Sequence, residues 1–240
     1  MNTMNDQYMN ILEICPLFFQ IKKEDFPHLL GCISAKEKKY YYDEYLWFHE
    51  DAVTNLGIVL SGSLEIVKEN AGGQKHILDF VSPGQIFGEG IICTKDRLSP
   101  VSVVAREPST ILFIPFDQII RPCGNSCSFH YQLTQNIITI LGEKNRMLNR
   151  KIELLAIKGM REKLATYLLY EEAHFLKNSR HKTGLSFTIT PNRNELAEYL
   201  NVSRASMCRE LGRMKEEGLI DYYQNTFKIT NPAALKDSLL

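Results

Sequence analysis

Between Ser126 and Ala156 the chain carries two heptad-spaced apolar series at once. One runs Leu133, Ile137, Ile140, Met147 and Leu154; the other runs Ile138, Leu141, Leu148, Ile152 and Leu155. A helix with one apolar stripe packs against one partner. Two adjacent stripes suit a helix that lies on its own domain and also on a second copy of itself. Asn145 falls in line with the second stripe, where a polar residue fixes the register of a pairing. Leu133, Ile137, Ile138, Leu141, Asn145 and Leu148 are therefore the candidate dimerisation residues. A helix buried wholly within a monomeric core is the alternative reading.

The sequence on either side differs in period. Residues 8–35 suggest short helices, broken at Pro16 and Pro27. From about 40 to 116, short β-rich runs ("YLWF", "LGIVL", "SLEIVKE", "HILDFV", "VSVVA", "TILFIP") alternate with turn signals such as "SGS", "NAGG" and "SPGQ". Strands this short at this spacing predict a β-barrel or sandwich. Pro122 and Gly124 close that region. Past the long helix, Gly159 offers a hinge, and a further amphipathic helix carries Leu164, Tyr167, Leu168 and Phe175.

A helix from about Asn192 to Leu200, a tight "NVS" break and a helix from Ser203 to Glu217 follow. "LIDYYQNTFKIT" then reads as two strands around Gln224-Asn225. Two short helices joined by about three residues, with a β-ribbon behind them, make a winged helix-turn-helix. Ala197 must be small where the helices meet. Leu196, Leu200, Val202, Met207, Leu211, Met214 and Leu219 supply the shared core. Ser203 caps the second helix. Its opposite face carries Arg204, Ala205, Cys208, Arg209 and Arg213, beside Ser206. That slim, basic face fits a major groove. Asn192, Arg193 and Asn194 open the preceding helix, whose unpaired N–H groups suit a DNA phosphate.

Charge alone decides little. The 240 residues hold 28 basic and 28 acidic side chains, so any anion-binding surface must be local. Over 192–215 the count is five basic against three acidic, which a solvated helix would also show. The slim face and the spacing carry the DNA-binding reading. No apolar run approaches the ~18 residues of a membrane span, and "MNTMNDQYMN" is no signal peptide. The expected place is the cytoplasm, with no membrane partner. The six cysteines form no C-x-x-C pair, so reduced thiols are expected. Cys123 and Cys127, at i and i+4, are candidates for a thiol switch, although small core thiols explain them as well.

In their order, "VLSGSLEIV", "ILDFVSPGQIFGEG", the long helix and "NRNELAEYLNVSRASMCRELGRMKEEGLI" resemble the Crp/Fnr family of bacterial transcription regulators. The resemblance implies an α+β chain in three parts. An effector-binding β-roll of the cyclic-nucleotide-binding, jelly-roll kind spans 1–125. A dimerisation helix follows over 126–158, and a winged helix-turn-helix over 159–240. It also implies a homodimer on a palindromic promoter site, RNA polymerase as a partner, and a small-molecule or redox signal at the roll. By position, Arg204 and Arg209 match the family's base or phosphate readers. Ala205 departs from the glutamate that many members place there as an acceptor for cytosine.

The nucleotide-binding members hold ribose and cyclic phosphate with a Gly-Glu pair and an Arg-Ser pair. Gly88 and Glu89 match the first. Ser99 and Pro100 fall on the second, so the guanidinium for the phosphate is missing. Arg97, two residues away, is the candidate substitute, and a cyclic-nucleotide-responsive member is the alternative. The N-terminal region offers only Cys15 and Cys32, too few for a four-cysteine iron–sulfur cluster. His49, His76 and Cys93 have no local haem motif. No metal is expected, and the cofactor or effector is left unassigned. Tyr45, Trp47 and Phe48 line either an apolar pocket or plain core. The competing class is a cupin-like enzyme, but His49 and His76 lack the His-x-His spacing of such a metal site.

Overall fold

The structure is a computed structural model that describes residues 6–69, 75–121, 128–178, 186–237 and 239. Cys123 and Cys127, with Pro122 and Gly124, lie outside the described residues. The chain divides into two compact units, Met1–Lys144 and Asn145–Leu240, and the division falls inside the long helix.

In the first unit, α1 (Asp6–Ile14) and α2 (Phe26–Cys32) precede the strands, with a single turn of tighter helix at Pro16–Phe18. The strands are β1 (Lys36–Tyr40), β2 (Tyr45–Trp47), β3 (Asn55–Ser61), β4 (Leu64–Glu69), β5 (Lys75–Val81) and β6 (Ile86–Phe87). After α3 (Glu89–Ile92) come β7 (Ser102–Ala105) and β8 (Ser109–Pro115), then α4 (Phe116–Ile120) and α5 (Ser128–Ala156). They make two four-stranded sheets, ordered β1-β8-β3-β6 and β2-β7-β4-β5, in which every pairing is antiparallel.

β3 carries an unbroken buried run, Leu56 to Leu60, rather than an alternating one. Both its faces are covered, because Leu12 of α1 and Cys15 just after it belong to the same core. Burial pushes the Cys15 thiol up to about 12. An aromatic ladder joins the sheets: Trp47 stacks on Phe87 at 5.4 Å, and Phe113 meets Phe87 and Tyr40 edge-on at 6.3 Å. A Cβ on Gly57 would enter the Phe87 ring, so the ladder requires glycine there. β1 carries no strand pattern of its own, since four of its five residues are exposed and charged. Its register with β8, Lys36 opposite Phe113 through Tyr40 opposite Ser109, makes it a strand.

The two stripes of α5 separate only in part. Leu133 and Ile137 are buried in the roll's core, and Ile140 packs against it. Ile138, Leu148 and Ile152 stay 58%, 64% and 63% exposed. Leu133 and Ile137, expected among the dimer contacts, are thus used by the roll's own core instead, and two further positions differ from the heptad reading. Leu141, expected outward, packs partly on the roll, whereas Met147, expected inward, is exposed. A straight helix turns at 3.6 residues, so a stripe spaced at 3.5 drifts around it.

In the second unit, α6 (Met160–Asn178) precedes β9 (Phe187–Thr188), α7 (Arg193–Tyr199) and α8 (Arg204–Glu216). β10 (Ile220–Tyr223), β11 (Thr226–Ile229) and α9 (Pro232–Asp237) complete it. The ribbon is ordered β10-β11-β9. Leu154 of the long helix, Leu164, Leu168, Leu196, Ala197, Leu200, Met207, Leu211 and Met214 share one core with Phe187 and Phe227. Asn201 turns the chain between α7 and α8 at φ 52°, a left-handed conformation that asparagine tolerates.

Candidate nucleic-acid interface and ligand corner

α8 is set by its ends and its buried stripe. The Ser203 side chain accepts from the Ser206 backbone N–H at 3.1 Å, capping the helix. Met207, Leu211 and Met214 are buried, which turns Ala205, Arg209 and Arg213 outward. Ser203 Oγ donates to Ser206 Oγ at 2.8 Å. Ser206 Oγ in turn accepts from Arg209 Nη2 at 3.2 Å, so the cap also orients Arg209. Arg204 is exposed in the first turn and makes no side-chain hydrogen bond or ion pair among the described residues. Cys208 corrects the expected face: it is half-buried and packs on the core. Its position one residue past Met207 leaves it on the flank.

The acidic residues of this region are occupied elsewhere. Arg161 of α6 donates from Nε to Glu210 at 2.7 Å and from Nη1 and Nη2 to Glu217 at 2.6 and 2.7 Å. Those two carboxylates hold its guanidinium above its usual range, and Arg161 holds the Glu217 carboxyl below its own. Glu195 accepts from the Asn192 backbone N–H at 2.8 Å, completing a capping box. Three carboxylates are thus paired within the unit, and the outer face of α8 keeps its arginines.

The start of α7 corrects two expectations. Asn192 Oδ1 accepts from the backbone N–H groups of Asn194 and Glu195 at 2.9 and 3.1 Å, so those donors are not open to a phosphate. Arg193 lies against the ribbon. Its guanidinium sits 5.0 Å from the Tyr222 ring centre and 4.8 Å from that of Phe227, and Nη2 donates to Gln224 O at 2.8 Å. Burial holds it below the usual arginine range. It reads as a strut under the wing.

The other end of α7 shows residues that sequence reasoning missed. Lys151 of the long helix donates to Tyr199 O, and buried Lys163 donates to Leu200 O at 3.1 Å. Two ammonium groups thus meet the carbonyl end of the first helix of the motif, where positive charge is favoured. Burial, with Lys163 adding repulsion, holds Lys151 below its usual range. No local pattern marks these two lysines, since Lys151 follows Asn149-Arg150 and Lys163 follows Arg161-Glu162.

At the corner of the roll, Gly88 takes φ 82°, which favours glycine, and caps α3. Glu89 is 5% exposed; Oε1 pairs with Lys144 of the long helix, and Oε2 is buried without a hydrogen-bond partner. Ser99 is occupied structurally: Oγ accepts from Trp47 Nε1 at 3.0 Å and donates to Val101 O at 2.6 Å. Pro100 is exposed. Arg97 is engaged with other residues. It pairs with Asp117 at 3.6 Å and lies over the Phe116 ring. A separate cleft of about 590 Å3 opens among Tyr40, Trp47, Phe113, Lys36, Lys38 and Asp51. Of the three aromatics expected at a pocket, Trp47 lines it, while Tyr45 and Phe48 stack on each other at 4.4 Å. His49 and His76 are exposed. Among the described residues no three metal-ligating side chains gather, and no helix is long and apolar enough to cross a membrane.

A two-sheet roll with a buried Gly-Glu corner, a long helix, and a winged helix-turn-helix with a slim basic face define a DNA-binding regulator with an N-terminal sensor-type module. Residues 37–124 match the family model described as cyclic nucleotide-binding domain, and residues 162–238 match the Crp-like helix-turn-helix domain. The Cyclic AMP receptor protein of Thermus thermophilus is 23% identical over 92% of this chain and 95% of its own length. The Transcriptional activator protein anr of Pseudomonas aeruginosa is 26% identical over 74% and 69%. The crystal structure of the Thermus thermophilus Catabolite Activator Protein shares the fold, with a TM-score of 0.51 at 22% identity over 93% of this chain and 98% of that one. The chain belongs to the Crp/Fnr family of transcriptional regulators.

Replacing Arg193 tests its place under the wing. Arg193→Ala is expected to lower the stability of the C-terminal unit by about 1–2 kcal/mol in a denaturant titration, through the lost ring and carbonyl contacts. The slope of log affinity against log salt is expected to stay at its wild-type value. A slope shallower by about one would return Arg193 to the phosphate backbone.

Proposed function

We propose that the protein binds a palindromic promoter site as a homodimer, with α8 of each copy in the major groove, and that a small molecule or redox signal at the roll gates this binding. The observation that carries the reading is the outer face of α8. Arg204, Ala205, Arg209 and Arg213 are exposed there, opposite a fully buried stripe. Arg204, in the first turn and without an internal partner, is positioned to reach base edges. Arg209, steadied by Ser206, reads a base or a phosphate, and Asn192, Asn194 and Ser203 flank the groove. The division of labour is an effector domain over 1–125, a dimerisation helix over 126–158 and a DNA-binding domain over 159–240. Such a regulator acts in the cytoplasm, engages RNA polymerase from DNA and needs no catalysis.

Ile138, Leu148, Ile152 and Leu155 support the dimer, because they form an exposed apolar row on α5 with Asn145 among them. The effector is not a cyclic nucleotide. Ser99 is engaged with Trp47, Arg97 with Asp117, and Lys144 already occupies the Glu89 carboxylate. A cyclic phosphate brought to this corner would therefore lack a guanidinium partner.

Three measurements test these points. Selection from a random DNA library is expected to give a two-fold symmetric motif for the wild type. Arg204→Ala should relax it at one base pair per half-site, a loss of about 1–3 kcal/mol of discrimination. An unchanged motif would make Arg204 a phosphate contact. Leu148→Glu with Ile152→Glu is expected to give monomers in sedimentation and weak operator binding; an unaltered dimer would remove α5 from that role. Calorimetry with cyclic AMP is expected to show no binding in the micromolar range, and a micromolar dissociation constant would overturn the assignment of the corner.

A further inference from the structure

A histidine buried at the start of the long helix faces a thiol. His130 of α5 is 6% exposed, and its Nε2 lies 3.3 Å from Cys32 Sγ at the end of α2. The other ring nitrogen, Nδ1, is buried without a hydrogen-bond partner. Among the described residues no partner satisfies Nδ1, whereas a buried imidazole ordinarily has both nitrogens satisfied. Cys32 itself is half-buried.

The four described thiols differ in ways that chemistry would sense. Cys15 is sealed in the core and pushed up to about 12 by burial. Cys93 is exposed, but partial burial and the Glu89 carboxylate raise it above an ordinary thiol, against the smaller opposing effect of Arg97. Cys208 packs against the C-terminal core. Of the four, only Cys32 has an imidazole nitrogen within hydrogen-bonding distance. A thiolate is the nucleophile, and a neighbouring histidine that takes the proton is the usual way to generate one. Cys32 ends α2, where the carbonyl dipole disfavours negative charge. His130 Nε2 is the base placed to take the Cys32 proton.

We infer that Cys32 is a peroxide-reactive thiol activated by His130. The Sγ proton passes to Nε2, and the thiolate attacks one oxygen of a hydroperoxide. A sulfur–oxygen bond forms as the oxygen–oxygen bond breaks. The sulfur loses two electrons and becomes a sulfenic acid. The departing oxygen gains them, takes the proton back from the imidazolium and leaves as water or an alcohol.

The test uses the full chain with hydrogen peroxide as the oxidant and a cyclic 1,3-dione to trap sulfenic acid, read cysteine by cysteine by mass spectrometry. Cys32 is expected to be trapped about ten-fold or more faster than Cys93, and His130→Gln to bring it close to the Cys93 rate without changing Cys93 itself. Equal rates at the two cysteines in the wild type, or an unchanged Cys32 rate in the variant, would sink the inference. Because a buried substitution can unfold the chain, the wild type supplies a second readout. Alkylation of Cys32 by iodoacetamide is expected to persist at a lower pH than that of Cys93. His28, a turn earlier on α2, lies against Phe129 and is the other imidazole at this contact. His28→Gln is expected to leave the profile in place. Superimposable profiles for Cys32 and Cys93, or a Cys32 profile that follows His28, would overturn the assignment to His130.

Discussion

Leu133 and Leu154 have no exposed surface, yet they stand on one helix and belong to different cores. That constraint organises the chain. The first turns of α5 are committed to the roll, where buried Asn136 also donates from Nδ2 to Leu17 O at 2.7 Å and Phe19 O at 2.9 Å. Its last turns are committed to the C-terminal core through Leu154 and through Lys151, which meets the carbonyl end of α7. Between these anchors the helix buries little. Its stability there comes from continuity with both packed ends, because isolated helical turns are marginal in water. The outward row from Ile138 to Leu155 is the surface left over once both commitments are met.

Periodicity read well wherever one face was buried and the other was not. The helix-turn-helix core follows from apolar spacing alone, and Ser203 is a cap by residue type, whereas the capping box of Asn192 closes donors that the spacing leaves open. Legibility ended where an element is held by its neighbours rather than by its own pattern. β1, "KEKKY", buries only Tyr40, and its strand character lies in the ladder with β8. The buried run of β3 does not reveal that α1 covers it. Arg193 was read from its place at a helix start, but its direction is set by a ring and a carbonyl about thirty residues later in the chain. The Cys32–His130 contact joins residues 98 apart, and no local spacing encodes it.

The neutral total charge conceals a sorting of charges by partner. A surface helix with mixed signs presents no net field to a polyanion. Here Glu195 closes a capping box, and Glu210 and Glu217 grip Arg161. These pairs stand partly in water, and each adds little to stability. Their effect is directional, because they place negative charge against the protein's own arginine and leave Arg204 and Arg209 facing outward. Arg213 keeps only a 3.4 Å contact to Glu210.

The Glu89 corner shows why the family's fold is a weaker guide than its side chains. The backbone turn is kept, since Gly88 takes the left-handed conformation and Glu89 is buried behind it. The carboxylate nevertheless meets a lysine of the long helix through one oxygen, and the other has no partner. Lys144 is half-exposed, so only the Glu89 carboxylate would be left as a buried charge if the pair were broken. A solute entering this corner must therefore bring a donor for Oε2 and either tolerate Lys144 or replace its charge. Lys144 and Lys151 stand seven residues apart on α5, which places them on the same side of the helix. Each serves its own unit, Lys144 through the Glu89 carboxylate and Lys151 through the carbonyl end of α7.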